Sequence, residues 1–327
     1  MNRRQRMIIS ALLAVTALVL LISAFNPGFL ERKQKPSDLT IQVILRSNEG
    51  DYWQNVVLGA QAAVKEFGIT MYMTASYEED DVEGQVQAAM QSLITKPDAV
   101  VLGASDDEAF APFLKAAAER HIPVIAIDSL LTSGKTKSYI GMDNHAAGQE
   151  AFNELAEQLE GRGNIAIVPH AAGGINGKLR EQGILDAAAK HPGIRIVDRV
   201  QCSGDRDQCT KAVSQAMHKQ ELDGIIALNT EASIGAALEL KNEQAGERVK
   251  LIGFDSSQEL LEMLQENQLQ KLIVQNPFSM GYLGIKYAME AALGHKVPDR
   301  VEIDRKLIDR SNMFWKDNQK LLFPVVQ

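Results

Sequence analysis

The chain has 327 residues and a formal net charge of −8, a length that makes one large or two medium domains, each able to bury a proper hydrophobic core. Residues 1–37 carry six basic side chains and one acidic, so residues 38–327 carry −13, a balance that argues against nucleic acid or anionic lipid as partner. The two cysteines, Cys202 and Cys209, share one polar segment, CSGDRDQC. In an oxidising compartment a local disulfide is expected there, with two thiols as the alternative.

Arg3, Arg4 and Arg6 precede an uncharged run of 19 residues, 7–25. That run reads as a single membrane-spanning helix, a signal anchor with its basic end on the cytoplasmic side. A cleaved secretory signal is the alternative, but its apolar core is shorter, about 7–15 residues. Ser23 and Ala24 also make a poor cleavage site beside Ile22, Phe25 and Pro27. Both readings place the rest of the chain outside the cytoplasm.

From Thr40 onward short apolar runs alternate with amphipathic stretches, the pattern of βα units and a parallel sheet. TIQVIL at 40–45, ITMYMT at 69–74, AVVLG at 99–103, PVIAID at 123–128 and SYIGM at 138–142 form a first set of strands. Between them Trp53, Val56, Val57, Ala60 and Val64 recur at helical spacing, as do Val82, Val86, Ala89, Met90 and Leu93. After a helix at 144–159 comes a second set: NIAIVP, RIVDRV, GIIALN, KLIGFD and KLIVQN. The C-terminal part gives a helix at 280–293 and two extended pieces, VEIDRKLID and LLFPVVQ, which return to both lobes. The fold class is therefore α/β, with two doubly wound parallel-sheet lobes. The expected division is 1–37 for basic tip, anchor and linker, 38–143 plus 276–303 for the first lobe, and 144–275 plus 304–327 for the second.

Ligands of such sheets bind at the carboxyl ends of the strands. There the chain places RSNEGDYW, Asp128, Asn229, Asp255 and Gln275, with Tyr52 and Trp53 opening the first helix. Carboxylates and amides bond hydroxyl groups, and an aromatic face covers the apolar side of a sugar ring. Catalytic motifs are weak: there is no GxSxG, no HExxH and no GxGxxG after the first strand. GGINGK departs from a phosphate loop at Ala172 and Leu179, and the six histidines lack ligand spacing, so neither cofactor nor metal is expected. The acidic run Glu78 to Asp81 reads as the cap of the helix near Val82 rather than a calcium site.

Over 38–309 the chain resembles the ribose-binding branch of the type I periplasmic binding proteins. The resemblance is carried by WQNVVLGAQAA, PVIAID, IGMDN, KLREQGILDA and, most strongly, GIIALNTEASIGAALEL followed by LIGFD. It implies a cleft between lobes joined by three crossovers, with a hinge near 142–144, 275–277 and 303–306. It further implies that Tyr52 and Trp53 help sandwich a sugar, that Asp128 binds its hydroxyls, that Lys178 stands at an arginine position, and that Asn229, Asp255 and Gln275 complete the contacts. Ser129 stands where ribose binders have arginine, the second-lobe aromatic is replaced near Gly204, and the polar residue before the aromatic pair is displaced into Asn48, Glu49 and Gly50. Two planar forks are thereby lost or softened, which weakens the match to ribose itself. Arg46, at the end of the first strand, is the candidate replacement cation.

The reading that follows is a non-enzymatic receptor for a monosaccharide or related polyol, closing on its ligand and signalling to a membrane partner. An anchored receptor suits a sensor histidine kinase, and an ABC sugar permease is the other candidate. The alternative of a different class is an exported carbohydrate-active enzyme using Asp128 and Asp255 as acid and base.

Overall fold

Runs of apolar residues without alternation become strands covered on both faces, as parallel sheets require, and most strands here follow that rule. The computed structural model describes residues 16, 35–76, 81–169, 174–202 and 205–323. Residues 1–35 and 36–327 are separate compact units. Of the first only Thr16 is described, so the apolar run at 7–25 lies outside the described residues. Among the described residues no helix is long and apolar enough to cross a membrane.

The first sheet is built from β1 (Thr40–Leu45), β2 (Thr70–Ala75), β3 (Ala99–Leu102), β4 (Val124–Ile127) and β5 (Ser138–Gly141), with β11 (Arg300–Glu302) added from the C-terminal part. Its order is β2-β1-β3-β4-β5-β11, with every pairing parallel. The second contains β6 (Gly163–Val168), β7 (Ile194–Arg199), β8 (Gly224–Ala227), β9 (Lys250–Phe254), β10 (Lys271–Val274) and β12 (Lys306–Asp309). Its order, β7-β6-β8-β9-β10-β12, repeats the first, except that β12 runs antiparallel. Order reverses beside the first strand of each lobe, the switch point at which doubly wound sheets open a crevice.

The chain passes between sheets three times. It leaves β5 for α4 (Asn144–Gln158), leaves β10 for α9 (Pro277–Ala292), and steps from β11 to β12. Local chemistry marks the first two passages. The Asp143 carboxylate accepts from Ala146 N at the start of α4, and the Asn276 side chain accepts from Ser279 N behind Pro277. That proline start lies three residues before the Met280 expected from periodicity.

Two helix pairs fix what faces the crevice. In the first lobe α1 (Gly50–Phe67) crosses α9, where a Cβ on Gly59 would lie 1.9 Å from Phe278 O and one on Gly281 1.9 Å from Val56 O. In the second lobe α4 crosses α5 (Ile175–Ala188), where a Cβ on Gly148 would lie 1.9 Å from Arg180 O and one on Gly183 2.0 Å from His145 O. Such backbone-to-backbone approach admits only glycine. It sets the first turns of α1 and α5 at the cleft.

The remaining helices are α2 (Val82–Ser92), α3 (Ala111–Glu119), α6 (Arg206–Lys219), α7 (Thr230–Asn242), α8 (Gln258–Gln265) and α10 (Lys316–Leu322). The LLFPVVQ segment departs from its expected extended form: Leu321 and Leu322 close α10, and 324–327 lie outside the described residues. Burial of Leu322 in the second lobe's core accounts for the helical turn. Asp81 caps α2 by accepting from Gly84 N. Cys202 and Cys209 are joined in a disulfide, and among the described residues no group of His, Cys, Asp or Glu could hold a metal ion.

Candidate ligand-binding site

Asp128 follows β4 and Asp255 follows β9, the equivalent strands of the two lobes, and both adopt the left-handed conformation, with φ of 64° and 72°. Aspartate tolerates that conformation better than most residues, though it costs roughly 1–2 kcal/mol. Both aspartates line a cavity of about 120 Å³ between the lobes.

Asp128 is 5% exposed and densely bonded. The Tyr52 hydroxyl donates to Oδ1 at 2.7 Å, and Ser129 Oγ and Asn176 Nδ2 each donate to Oδ2 at 3.1 Å. Across the cavity Gln275 Nε2 donates to Asp255 Oδ1 at 2.9 Å, and Thr230 Oγ1 donates to Oδ2 at 3.4 Å. Asn229 caps α7, its Oδ1 accepting from Ala232 N at 3.0 Å, and it also lines the cavity. Arg46 is buried and belongs to the same wall.

Burial pushes the Tyr52 phenol well above its usual range, and the Asp128 charge and hydrogen bond push it further. Tyr52 therefore remains a donor at neutral pH. Because its folded pKa exceeds the unfolded value of about 10, the linked stability is complete below that pH and falls as pH rises above it. Tyr139, raised by burial and then by Asp128, adds to the same loss. We expect the unfolding free energy, followed by urea titration, to decline above about pH 10 and Tyr52→Phe to flatten part of that slope; an unchanged slope would refute the assignment.

The aromatic pair differs from a double sandwich. Tyr52 and Trp53 meet edge to face at 5.1 Å and 89°, so both rings cannot lie flat on one sugar. Trp53 is 3% exposed and packs into the first lobe's core. Lys178 is exposed and outside the cavity wall; two residues along α5 turn it about 200° from Asn176. The second lobe's cation on the wall is Arg180, one helical turn past Asn176. It is 3% exposed, stacks 4.4 Å over the Phe254 ring, and donates to Asn144 Oδ1 at 2.8 Å and Leu228 O at 2.5 Å. Ser129 is buried behind Asp128 and off the wall. Gly204 lies outside the described residues.

Asn176, Arg180 and Thr230 are wall residues that strand-end reasoning missed, because all three sit on helices. The lobes also touch directly. Asn176 in the second lobe reaches Asp128 in the first, and the Asp51 carboxylate of α1 accepts from Gln258 N, the first residue of α8, at 2.8 Å.

Residues 41–296 match the periplasmic binding protein domain. The chain belongs to the periplasmic binding protein family. Among relatives, the family's ribose import binding protein of Haemophilus influenzae is 24% identical over 293 residues, covering 89% of this chain and 98% of its own. The D-allose-binding periplasmic protein of Escherichia coli is 23% identical over 288 residues, covering 82% and 89%. A carbohydrate transporter solute binding protein from Agrobacterium radiobacter, solved with D-arabinose, superposes with a TM-score of 0.84 at 28% identity, covering 87% of this chain and 98% of that one. These periplasmic binding proteins are not enzymes, and this chain is likewise a binding protein, which sets aside the acid–base reading of Asp128 and Asp255.

Proposed function

We propose that the chain binds a monosaccharide or related polyol in the interlobe cavity, outside the cytoplasm, and delivers it to an ABC sugar permease. The observation that carries this reading is the facing pair of strand-end carboxylates, Asp128 and Asp255, with Arg180 and Gln275 on one small wall. Two carboxylates and an amide provide acceptors for several hydroxyls, and the guanidinium provides donors. The cavity is far below the roughly 300–1,000 Å³ of drug-sized sites, so a single sugar ring suits it and an oligosaccharide does not.

Relatives that bind ribose, allose and arabinose support the ligand class. Their import and transporter roles favour a permease over a sensor histidine kinase as partner. The disulfide is in keeping with an oxidising compartment. On this reading the sugar meets Asp128, Asn229, Asp255, Gln275 and Arg46, only one ring of the Tyr52–Trp53 pair lies flat on it, Arg180 takes the place of Lys178, and Ser129 acts through Asp128. Lobe closure about the three crossovers follows from the sugar's preference for the form in which both aspartates reach it.

Thermal unfolding against pentoses, hexoses, polyols and autoinducer-type furanoses tests the reading. A sugar at 100 times its dissociation constant should add about 2.7 kcal/mol. No shift with any of them would refute it.

A further inference from the structure

We infer that Arg206 is a positioning residue for the sugar site, acting through Glu231 and Glu259; the inference rests on the sugar-binding reading above. Arg206 is the first residue of α6, and its backbone is held from three sides. Asp205 caps the helix, its Oδ1 accepting from Asp207 N at 2.7 Å and Gln208 N at 3.2 Å. The Cys202–Cys209 disulfide closes the segment around it. On α7, a Cβ at Gly235 would lie 2.7 Å from Cys209 Cβ and 2.8 Å from Arg206 O, so the two helices are pressed together there.

From that fixed base the guanidinium forks. Its Nε meets Glu231 Oε2 at 3.1 Å and its Nη1 meets Glu259 Oε2 at 2.7 Å. Glu231 is the second residue of α7, two past Asn229, and Glu259 is the second residue of α8, four past Asp255. One side chain thus ties the first turns of the two helices whose entry loops carry the wall residues Asn229 and Asp255. Glu231 itself lines the cavity. Without Arg206, two carboxylates face each other beside Asp255, and their repulsion spreads the loops that present Asn229, Thr230 and Asp255.

The test uses the full chain and the sugar that most stabilises the wild type. Arg206→Gln should weaken binding about three- to tenfold, in the lower part of the range of couplings between neighbouring groups. The ligand-free Tm should change little, since exposed ion pairs contribute little to stability. Arg206→Lys should recover part of the affinity. Glu259→Gln added to Arg206→Gln should recover most of it, because the repelling charge is gone and Glu259 lies off the wall. Wild-type affinity in Arg206→Gln, or no recovery in the double variant, overturns the inference. A wild type that binds no sugar overturns the parent reading, and this inference with it.

Discussion

Replacing Asp128 should abolish sugar-induced stabilisation. A hydrogen bond to a charged group contributes about 1.5–3 kcal/mol, so losing two from a bound sugar weakens binding by at least about a hundredfold. The choice of substitution matters because φ at Asp128 is 64°. Alanine there adds roughly 1–2 kcal/mol of backbone strain and leaves the Tyr52, Ser129 and Asn176 donors without their acceptor. Glycine removes the strain along with the carboxylate. Asp128→Gly should therefore lose sugar while remaining more stable than Asp128→Ala, as read by calorimetric titration beside thermal unfolding. Binding by the glycine variant within about tenfold of wild type would remove Asp128 from the site.

The largest loss of stability should come from Gly59→Ala. The new Cβ would sit 1.9 Å from a backbone oxygen of α9, which cannot rotate away as a side chain would. Forcing two packed helices apart costs about 3 kcal/mol or more, a fall of roughly 5–10 °C in Tm for a domain of this size. Gly246→Ala is the matched control, because its nearest neighbour is 3.8 Å away and its Tm should not move. The sugar site should suffer too, since the same crossing sets the first turn of α1 with Tyr52 and Trp53. A Tm for Gly59→Ala equal to that of the control would show that the crossing yields.

Strands were legible because their physics is local. AVVLG and PVIAID are continuous apolar runs, and β3 and β4 are buried at every position, so composition alone marked them to within a residue. The polar residues at strand ends were legible by topology, which dictates where they stand whatever the helices do. The α5 contacts were not. INGKLREQGILDAA has almost no amphipathic bias, and the face it turns to the cleft is set by Gly148 and Gly183 meeting backbone from the opposite helix. Periodicity therefore could not choose between Lys178 and Arg180. LLFPVVQ was expected to be extended, while the helix that takes in Leu321 and Leu322 begins upstream at Lys316. The Asp51 contact with Gln258 N joins positions 207 apart in sequence, beyond the reach of any local pattern.

That contact and the Asn176–Asp128 bond favour the shut arrangement whether or not a sugar is present. On the sugar-binding reading, these bonds leave some fraction of the copies shut with no sugar bound. If only that fraction is competent to hold sugar, the apparent dissociation constant is the intrinsic one divided by it. Strengthening either bond then makes scarce sugar easier to detect. On the proposed transport reading it also raises the sugar-free shut population that the permease meets, so the same two bonds trade affinity against the contrast between loaded and empty receptor.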